Sequence, residues 1–95
     1  MERNPITFFA TGYLHEDWEE DYKDFTEALA FYLDETDRAE QVALGTALRR
    51  LLEETRTEKE TEDRLIQYDW QVFFEDASIR TVVRSMSEML LDEAL

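Results

Sequence analysis

The sequence predicts an all-α fold, a compact four-helix bundle with an extended aromatic segment at its N-terminus. Two glycines and one proline in 95 residues leave few places for hairpin turns. The runs between them are rich in Ala, Leu, Glu and Arg, which favour helix. Apolar residues recur at helical spacing through most of the chain. Because 43% hydrophobic side chains at this length build one small core, we expect a single domain over residues 1–95.

The first two predicted helices each bury one apolar stripe. One covers residues 23–34, and the next begins after Asp37, whose carboxylate is expected to accept from first-turn N–H groups while Glu40 closes a capping box. Gly45 lies inside the second stripe and predicts a close helix crossing. The stripes are Phe25, Ala28, Leu29, Tyr32 and Leu33 in the first helix, and Leu44, Ala47, Leu48, Leu51 and Leu52 in the second.

The last two predicted helices cover residues 57–67 and 78–91. Thr57 and Glu60 have the spacing of a capping box, and this helix is expected to bury mainly Leu65 and Ile66. Asp76 or Ser78 caps the last helix. Its apolar stripe has the clearest helical period in the chain, with Ile79, Val82, Val83, Met86, Met89 and Leu90.

Two aromatic segments are predicted to lie outside helices. Residues 68–74 have strand-like composition, but a lone strand would leave its backbone groups unpaired, so they are expected to form an extended aromatic loop. Trp70, Phe73 and Phe74 in this loop are expected to join the core, because small domains need such bulk. Residues 6–10, Ile-Thr-Phe-Phe-Ala, are expected to lie extended across the bundle.

Charge limits the partners of this chain. A formal net charge of -14 makes nucleic acid, acidic membranes and polyanionic substrates poor ligands and favours a basic protein. The chain has no cysteine, which suits a reducing compartment, and no apolar run approaches the roughly 20 residues of a membrane span. The sequence therefore predicts a soluble cytoplasmic protein and leaves its oligomeric state open.

Residues 13–22 are the densest feature, with five carboxylates, three aromatic rings and the only histidine of the chain. One interpretation is a binding surface, with aromatic anchors and carboxylates that meet Lys or Arg. The other is structural, with the rings packed on the bundle and the acids solvated. A combination of the two has the rings fix the segment while the acids point outward. The predicted partner-binding residues are Tyr13, His15, Glu16, Asp17, Trp18, Glu19, Glu20, Asp21, Tyr22 and Asp24.

Catalytic and metal sites are not expected in this segment. Catalysis by His15 needs a nucleophile or an acid–base partner, and the sequence does not supply one. Zinc or calcium ligation is disfavoured because no second histidine exists and no glycine stands where a calcium loop turns. We therefore predict no enzyme activity, no metal and no cofactor.

The stretch YLHEDWEEDYKDFTEALAFYLDET resembles the signature of a family of immunity proteins from bacterial contact-dependent growth inhibition systems. Members typically carry Tyr-Phe-His-Gln-Asp-Trp, then a tyrosine, then an acidic helix that ends in a Phe-Leu pair. Tyr13, His15, Asp17 and Trp18 match directly, and Tyr22 falls at the expected spacing. The match covers about a quarter of the chain, and the rest is similar in layout.

The resemblance implies a protein that binds and neutralises the toxic C-terminal domain of a cognate effector. Many such toxins are nucleases, whose clefts are basic because they bind phosphate backbones. The charge of the chain agrees with a basic partner of this kind. The alternative from another class is an acidic adaptor or regulator that binds a basic host protein.

Overall fold

The computed structural model describes residues 4–15 and 18–91, and these residues form six helices and no strand. The all-α class is therefore confirmed. The buried apolar side chains form one contiguous core. The helices are α1 (Pro5–Tyr13), α2 (Trp18–Asp21), α3 (Phe25–Glu35), α4 (Arg38–Glu54), α5 (Glu58–Gln67) and α6 (Ile79–Leu90).

The four predicted helices correspond to α3, α4, α5 and α6, and side chains cap all four at the start. The caps of α4, α5 and α6 are Asp37, Thr57 and Ser78, each of which accepts from a backbone N–H of the first turn. At α5 the full capping box forms, since the Glu60 carboxylate also accepts from the Thr57 N–H. Local capping chemistry in the sequence thus located these helix starts.

The predicted extended N-terminal segment is wrong, because these residues form helix α1. Asn4 caps the helix by accepting from the Ile6 N–H at 2.8 Å, and Pro5 occupies the first turn, where its missing N–H costs nothing. The buried residues of α1 are Ile6, Phe9, Ala10 and Tyr13. Their i, i+3, i+4, i+7 spacing is helical, and the prediction gave aromatic composition more weight than this period. With α1 and the single turn of α2, the described chain has six helices rather than four.

Helices α4 and α6 form the most extensive helix pair of the described structure, and Gly45 lies where they cross. A Cβ atom added at Gly45 would stand 2.9 Å from the Leu91 Cγ and 3.0 Å from the Leu90 Cβ. Only glycine leaves room for this approach. The predicted close crossing is confirmed.

Phe9 is the centre of an aromatic cluster that joins α1, α3 and the loop after α5. Its ring centroid lies 5.8 Å from that of Tyr13, 6.4 Å from Phe25, 5.0 Å from Tyr32 and 5.7 Å from Trp70. Several of these pairs are edge-to-face or tilted, which aromatic quadrupoles favour. The cluster therefore fixes the N-terminal helix onto the rest of the core.

A left-handed residue at the end of α5 directs Trp70 into that cluster. Asp69 has φ 69°, its N–H donates to the Ile66 carbonyl, and the Trp70 N–H donates to the Leu65 carbonyl. This is the Schellman arrangement that ends a helix, here with Asp where glycine is favoured. The buried Trp70 indole then donates to the Val72 carbonyl at 2.6 Å.

Three burial predictions are wrong. Ile66 is 56% exposed, Phe73 is 37% exposed and Met89 is 43% exposed, whereas all three were expected in the core. Leu65 takes the buried face of α5, and the next residue lies about 100° further round the helix. Trp70 is buried as predicted, and Phe74 packs half-buried against the core.

A polar network joins the end of α4 to the starts of α5 and α6. The Arg80 guanidinium donates to the hydroxyls of Thr55 and Thr61, each at 2.9 Å, and both threonines are buried. The Glu58 carboxylate accepts from the Ser78 hydroxyl at 2.7 Å and from the Ile79 N–H at 2.9 Å. The hydroxyl bond lowers the pKa of Glu58, as expected for a carboxylate whose charged form is held. This network has no signal in local sequence, because its partners are 19 to 25 residues apart.

The two glycines allow a matched test of the α4–α6 crossing. Gly12 is helical with nothing within 4 Å of an added Cβ, so Gly12→Ala is expected to stabilise the fold by about 0.5–1 kcal/mol. Gly45→Ala gains the same helix propensity but overpacks the crossing, and we expect a net loss of about 1 kcal/mol. Urea unfolding of both variants measures the difference. Equal stabilisation by both substitutions would show that α6 can move away from α4 at no cost.

Alkaline pH tests the burial of the aromatic cluster. Burial raises the pKa of Tyr32 to about 12, from 10.0 in an unfolded chain. Between those values the unfolded chain loses a proton that the folded protein keeps, so the free energy of unfolding falls as pH rises, by about 2 kcal/mol for this residue. Below pH 10 the contribution is fully present. Tyr32→Phe is expected to lower stability at pH 9 but to weaken its decline from pH 9 to 11.5 in urea titrations. An equal decline in both proteins would contradict this.

Candidate partner-binding surface

Tyr13, predicted as an anchor for a partner, lies inside the protein. Its side chain is only 8% exposed, and its hydroxyl donates to the Glu35 carboxylate at 2.6 Å. Burial and this bond to a carboxylate raise the pKa of Tyr13. Tyr13 also stacks on Tyr22, with ring centroids 6.2 Å apart. It therefore positions α3 and Tyr22 rather than offering a free ring.

His15 and Trp18 connect the end of α1 with α2. The His15 Nε2 lies 3.0 Å from the Asp21 carboxylate, and the His15 carbonyl accepts from the Trp18 N–H at 2.9 Å. Trp18 packs half-buried against the core. These contacts hold the single turn of α2 close to the end of α1. Two further predicted residues, Glu16 and Asp17, lie outside the described residues.

The remaining predicted acids point outward. Glu19, Glu20 and Asp21 make up most of α2, and all three are exposed. Asp24 is exposed as well, but its carboxylate caps α3 by accepting from the Glu27 N–H at 2.9 Å. Asp24 is thus tied to helix formation, whereas the α2 carboxylates of Glu19 and Glu20 face solvent.

Helix α3 adds four residues that the predicted partner-binding set does not include, namely Glu27, Phe31, Asp34 and Glu35. Phe31 is 46% exposed, and its ring centroid lies 5.4 Å from that of Tyr22. Burial raises the pKa of Tyr22, and the charges of Glu35 and Asp21 raise it further, so carboxylates from both α2 and α3 lie near this phenol. The rings of Tyr22 and Phe31 therefore lie among carboxylates of two helices.

The sequence indicates that Phe31 and the acids around it lie on one exposed surface. Phe31 is off the buried stripe of α3, and it lies one helical turn from acids on either side. The stretch from Glu19 to Asp37 contains eight carboxylates and one lysine, so it produces a negative potential. We define the acidic-aromatic surface as Glu19, Glu20, Asp21, Tyr22, Glu27, Phe31, Asp34 and Glu35.

Among residues 4–15 and 18–91, no group of three or more His, Asp or Glu side chains is placed to hold a metal ion. Within the same residues, no helix has both the length and the apolar character that a membrane crossing requires. A negative surface with an exposed phenyl ring and a phenol is suited to a protein that presents basic side chains.

Comparison with known proteins agrees with the resemblance of residues 13–36. Residues 4–89 match the family described as CdiI immunity protein, a range that includes α1 to α5 and nearly all of α6. No curated protein and no solved structure gives a significant match. Because the family match extends over most of the 95 residues, from the cap of α1 to the last turn of α6, the chain belongs to the CdiI immunity protein family, whose members neutralise a toxin.

Proposed function

We propose that this protein binds a basic nuclease toxin domain of a contact-dependent growth inhibition effector, in the cytoplasm, through the acidic-aromatic surface. The observation that carries the proposal is Phe31, a phenyl ring 46% exposed on a helix of the most acidic part of the chain. The ring contacts Tyr22 and still leaves nearly half of its surface exposed to solvent among carboxylates. It is suited to a hot spot in an interface with a basic protein.

The carboxylates and the aromatic rings of this surface contribute to different steps of binding. Exposed carboxylates raise the association rate with a basic partner, and salt screens this effect. The rings supply contacts that exclude water and slow dissociation. Phe31 and Tyr22 are suited to the second task because the buried Tyr13 supports Tyr22 from behind. A preorganised ring pair loses little conformational freedom on binding.

The burial of the predicted residues refines their proposed roles. Tyr13, His15 and Trp18 position the surface through internal contacts, while Glu19 and Glu20 meet the partner. Carboxylates that occupy a basic cleft would exclude the phosphates of nucleic acid from it. In this proposal the carboxylates take the place of the phosphates, and the protein inhibits the toxin by keeping nucleic acid out of the cleft.

Phe31→Ala tests the proposed hot spot, with Phe73→Ala as its matched control. Phe73 is also a partly exposed phenylalanine, at 37%, but it lies in the loop after α5. Loss of Phe31 is expected to weaken binding to the toxin domain at least about tenfold, mainly through faster dissociation, and to restore nuclease activity at matched concentrations. Surface plasmon resonance and a nucleic-acid cleavage assay measure the two effects. Equal affinities of the two variants would remove Phe31 from the interface.

Charge steering is tested by the triple variant Glu19→Gln, Glu20→Gln, Asp34→Asn. Its association rate with the toxin domain is expected to fall about tenfold at low salt and to approach the wild-type rate at high salt, because screening removes the steering in both. The control carries Glu53→Gln, Glu75→Gln and Glu88→Gln, three exposed acids outside the acidic-aromatic surface. If the two triple variants slow association equally, net charge matters and the location of the charge does not.

A further inference from the structure

An open groove of about 480 Å³ lies between the first turns of α1 and α4, outside the acidic-aromatic surface. Its walls are Pro5 and Phe8 from α1, and Ala39 and Ala43 from α4. Phe8 is 39% exposed there, although it is a large apolar side chain on a helix whose other face is buried. The groove is therefore an apolar recess that the described residues leave open.

Tyr32 gives the groove a defined lining. Its hydroxyl donates to the Glu40 carbonyl at 3.2 Å, and its ring packs against Phe9 in the aromatic cluster. Tyr32 is only 1% exposed, so it backs the groove from the core, and the exposed apolar surface there comes from Phe8. Lining fixed by the core in this way keeps its shape when a ligand enters, which favours one side chain of matching size.

The polar residues that line the groove are acidic. Asp37 and Glu40 line it and are exposed, and no Lys or Arg is among its lining residues. The Asp37 carboxylate is fixed by its capping bond with the Glu40 N–H at 2.9 Å. An apolar recess with two negative charges fits an apolar side chain that has a cationic neighbour.

We propose that this groove receives an aromatic or aliphatic side chain, flanked by Lys or Arg, from a segment of the partner protein. A second copy of this chain is a poor occupant, because each copy carries a net charge of -14. The groove and the acidic-aromatic surface adjoin along the chain, because Tyr32 directly follows Phe31 in α3, and the groove residue Asp37 lies two residues after Glu35. One basic partner can therefore contact both. The identity of the partner as a toxin domain rests on the proposed function, but the chemistry of the groove does not.

Short peptides test the chemistry of the groove without any toxin. In NMR titrations, acetyl-Arg-Trp-Arg-amide is expected to shift the backbone amides of Phe8, Ala39 and Ala43. Acetyl-Glu-Trp-Glu-amide is expected to shift them much less, because of repulsion by the acidic lining residues. Acetyl-Arg-Gly-Arg-amide tests the apolar part. Equal shifts from the basic and acidic tryptophan peptides, or from the tryptophan and glycine peptides, would overturn the proposal.

The effector's toxin domain tests whether the groove works in the complex. Ala43→Arg places a long cationic side chain at an exposed helical position of the groove, and Ser85→Arg makes the same charge change at an exposed position of α6. We expect Ala43→Arg to weaken binding at least about tenfold, and Ser85→Arg less than about twofold. Urea unfolding checks that both variants fold, and Phe8→Ala provides a second disruption of the groove.

The outcomes separate this proposal from the proposed function. If wild type binds the toxin domain and Phe31→Ala weakens binding, but Ala43→Arg and Phe8→Ala bind as Ser85→Arg does, the groove proposal is wrong and the function stands. If the basic tryptophan peptide occupies the groove but wild type does not bind the toxin domain, the function is wrong and the groove remains a site for basic, apolar segments.

Discussion

The aromatic contacts of Phe9 are the constraint on which the rest of the structure depends. This one ring touches Tyr13 on its own helix, Phe25 and Tyr32 on α3, and Trp70 in the loop after α5. Helix α1 has nine residues, too few to be stable alone in water, so it forms because this packing holds it. Parts of both proposed contact sites are positioned through that helix. Tyr13 supports Tyr22 and bonds Glu35, and Phe8 forms one wall of the groove.

A surface of like charges has a cost in stability, and the core beneath it offsets that cost. Glu19, Glu20 and Asp21 are consecutive in the sequence. The charges of Glu35 and Asp21 both raise the pKa of Tyr22, so Glu35 lies near these acids. Repulsion among such groups destabilises the compact state. Much of the polar bonding that holds the fold lies elsewhere, where Arg80, Thr55 and Thr61 connect α4, α5 and α6. This separation leaves Glu19 and Glu20 exposed on α2. Other acids of the surface also hold the fold, since Asp21 contacts His15 and Glu35 accepts from the Tyr13 hydroxyl.

Local signals in the sequence were enough to locate α3 to α6, because caps and apolar periods act within a few residues. Helix α1 had the same signals, with Asn4 as its cap, but the prediction placed residues 6–10 in an extended segment. Phe31 and Glu35 were missed for another reason. Their importance comes from contact with Tyr22 and Tyr13, up to 22 residues away, and the period of α3 does not reveal it. The Arg80 network is equally non-local. The sequence thus predicted α3 to α6 and the acids and tyrosine that α2 and the residue after it bring to the surface, but not α1 and not the exposed ring of Phe31.

Charge alone does not make an immunity protein specific, because an acidic surface attracts any basic protein. Discrimination requires contacts that a wrong partner cannot satisfy. On the proposed interface, two features have the required shape: the exposed edge of the Tyr22 and Phe31 pair, and the recess lined by Phe8 and Tyr32. Both depend on α3, one on Phe31 and the other on the next residue. A partner that contacts both features must therefore present its own contact groups at the distance that separates them. The carboxylates would then set the association rate with basic toxins, and these two apolar features would determine which toxin dissociates slowly.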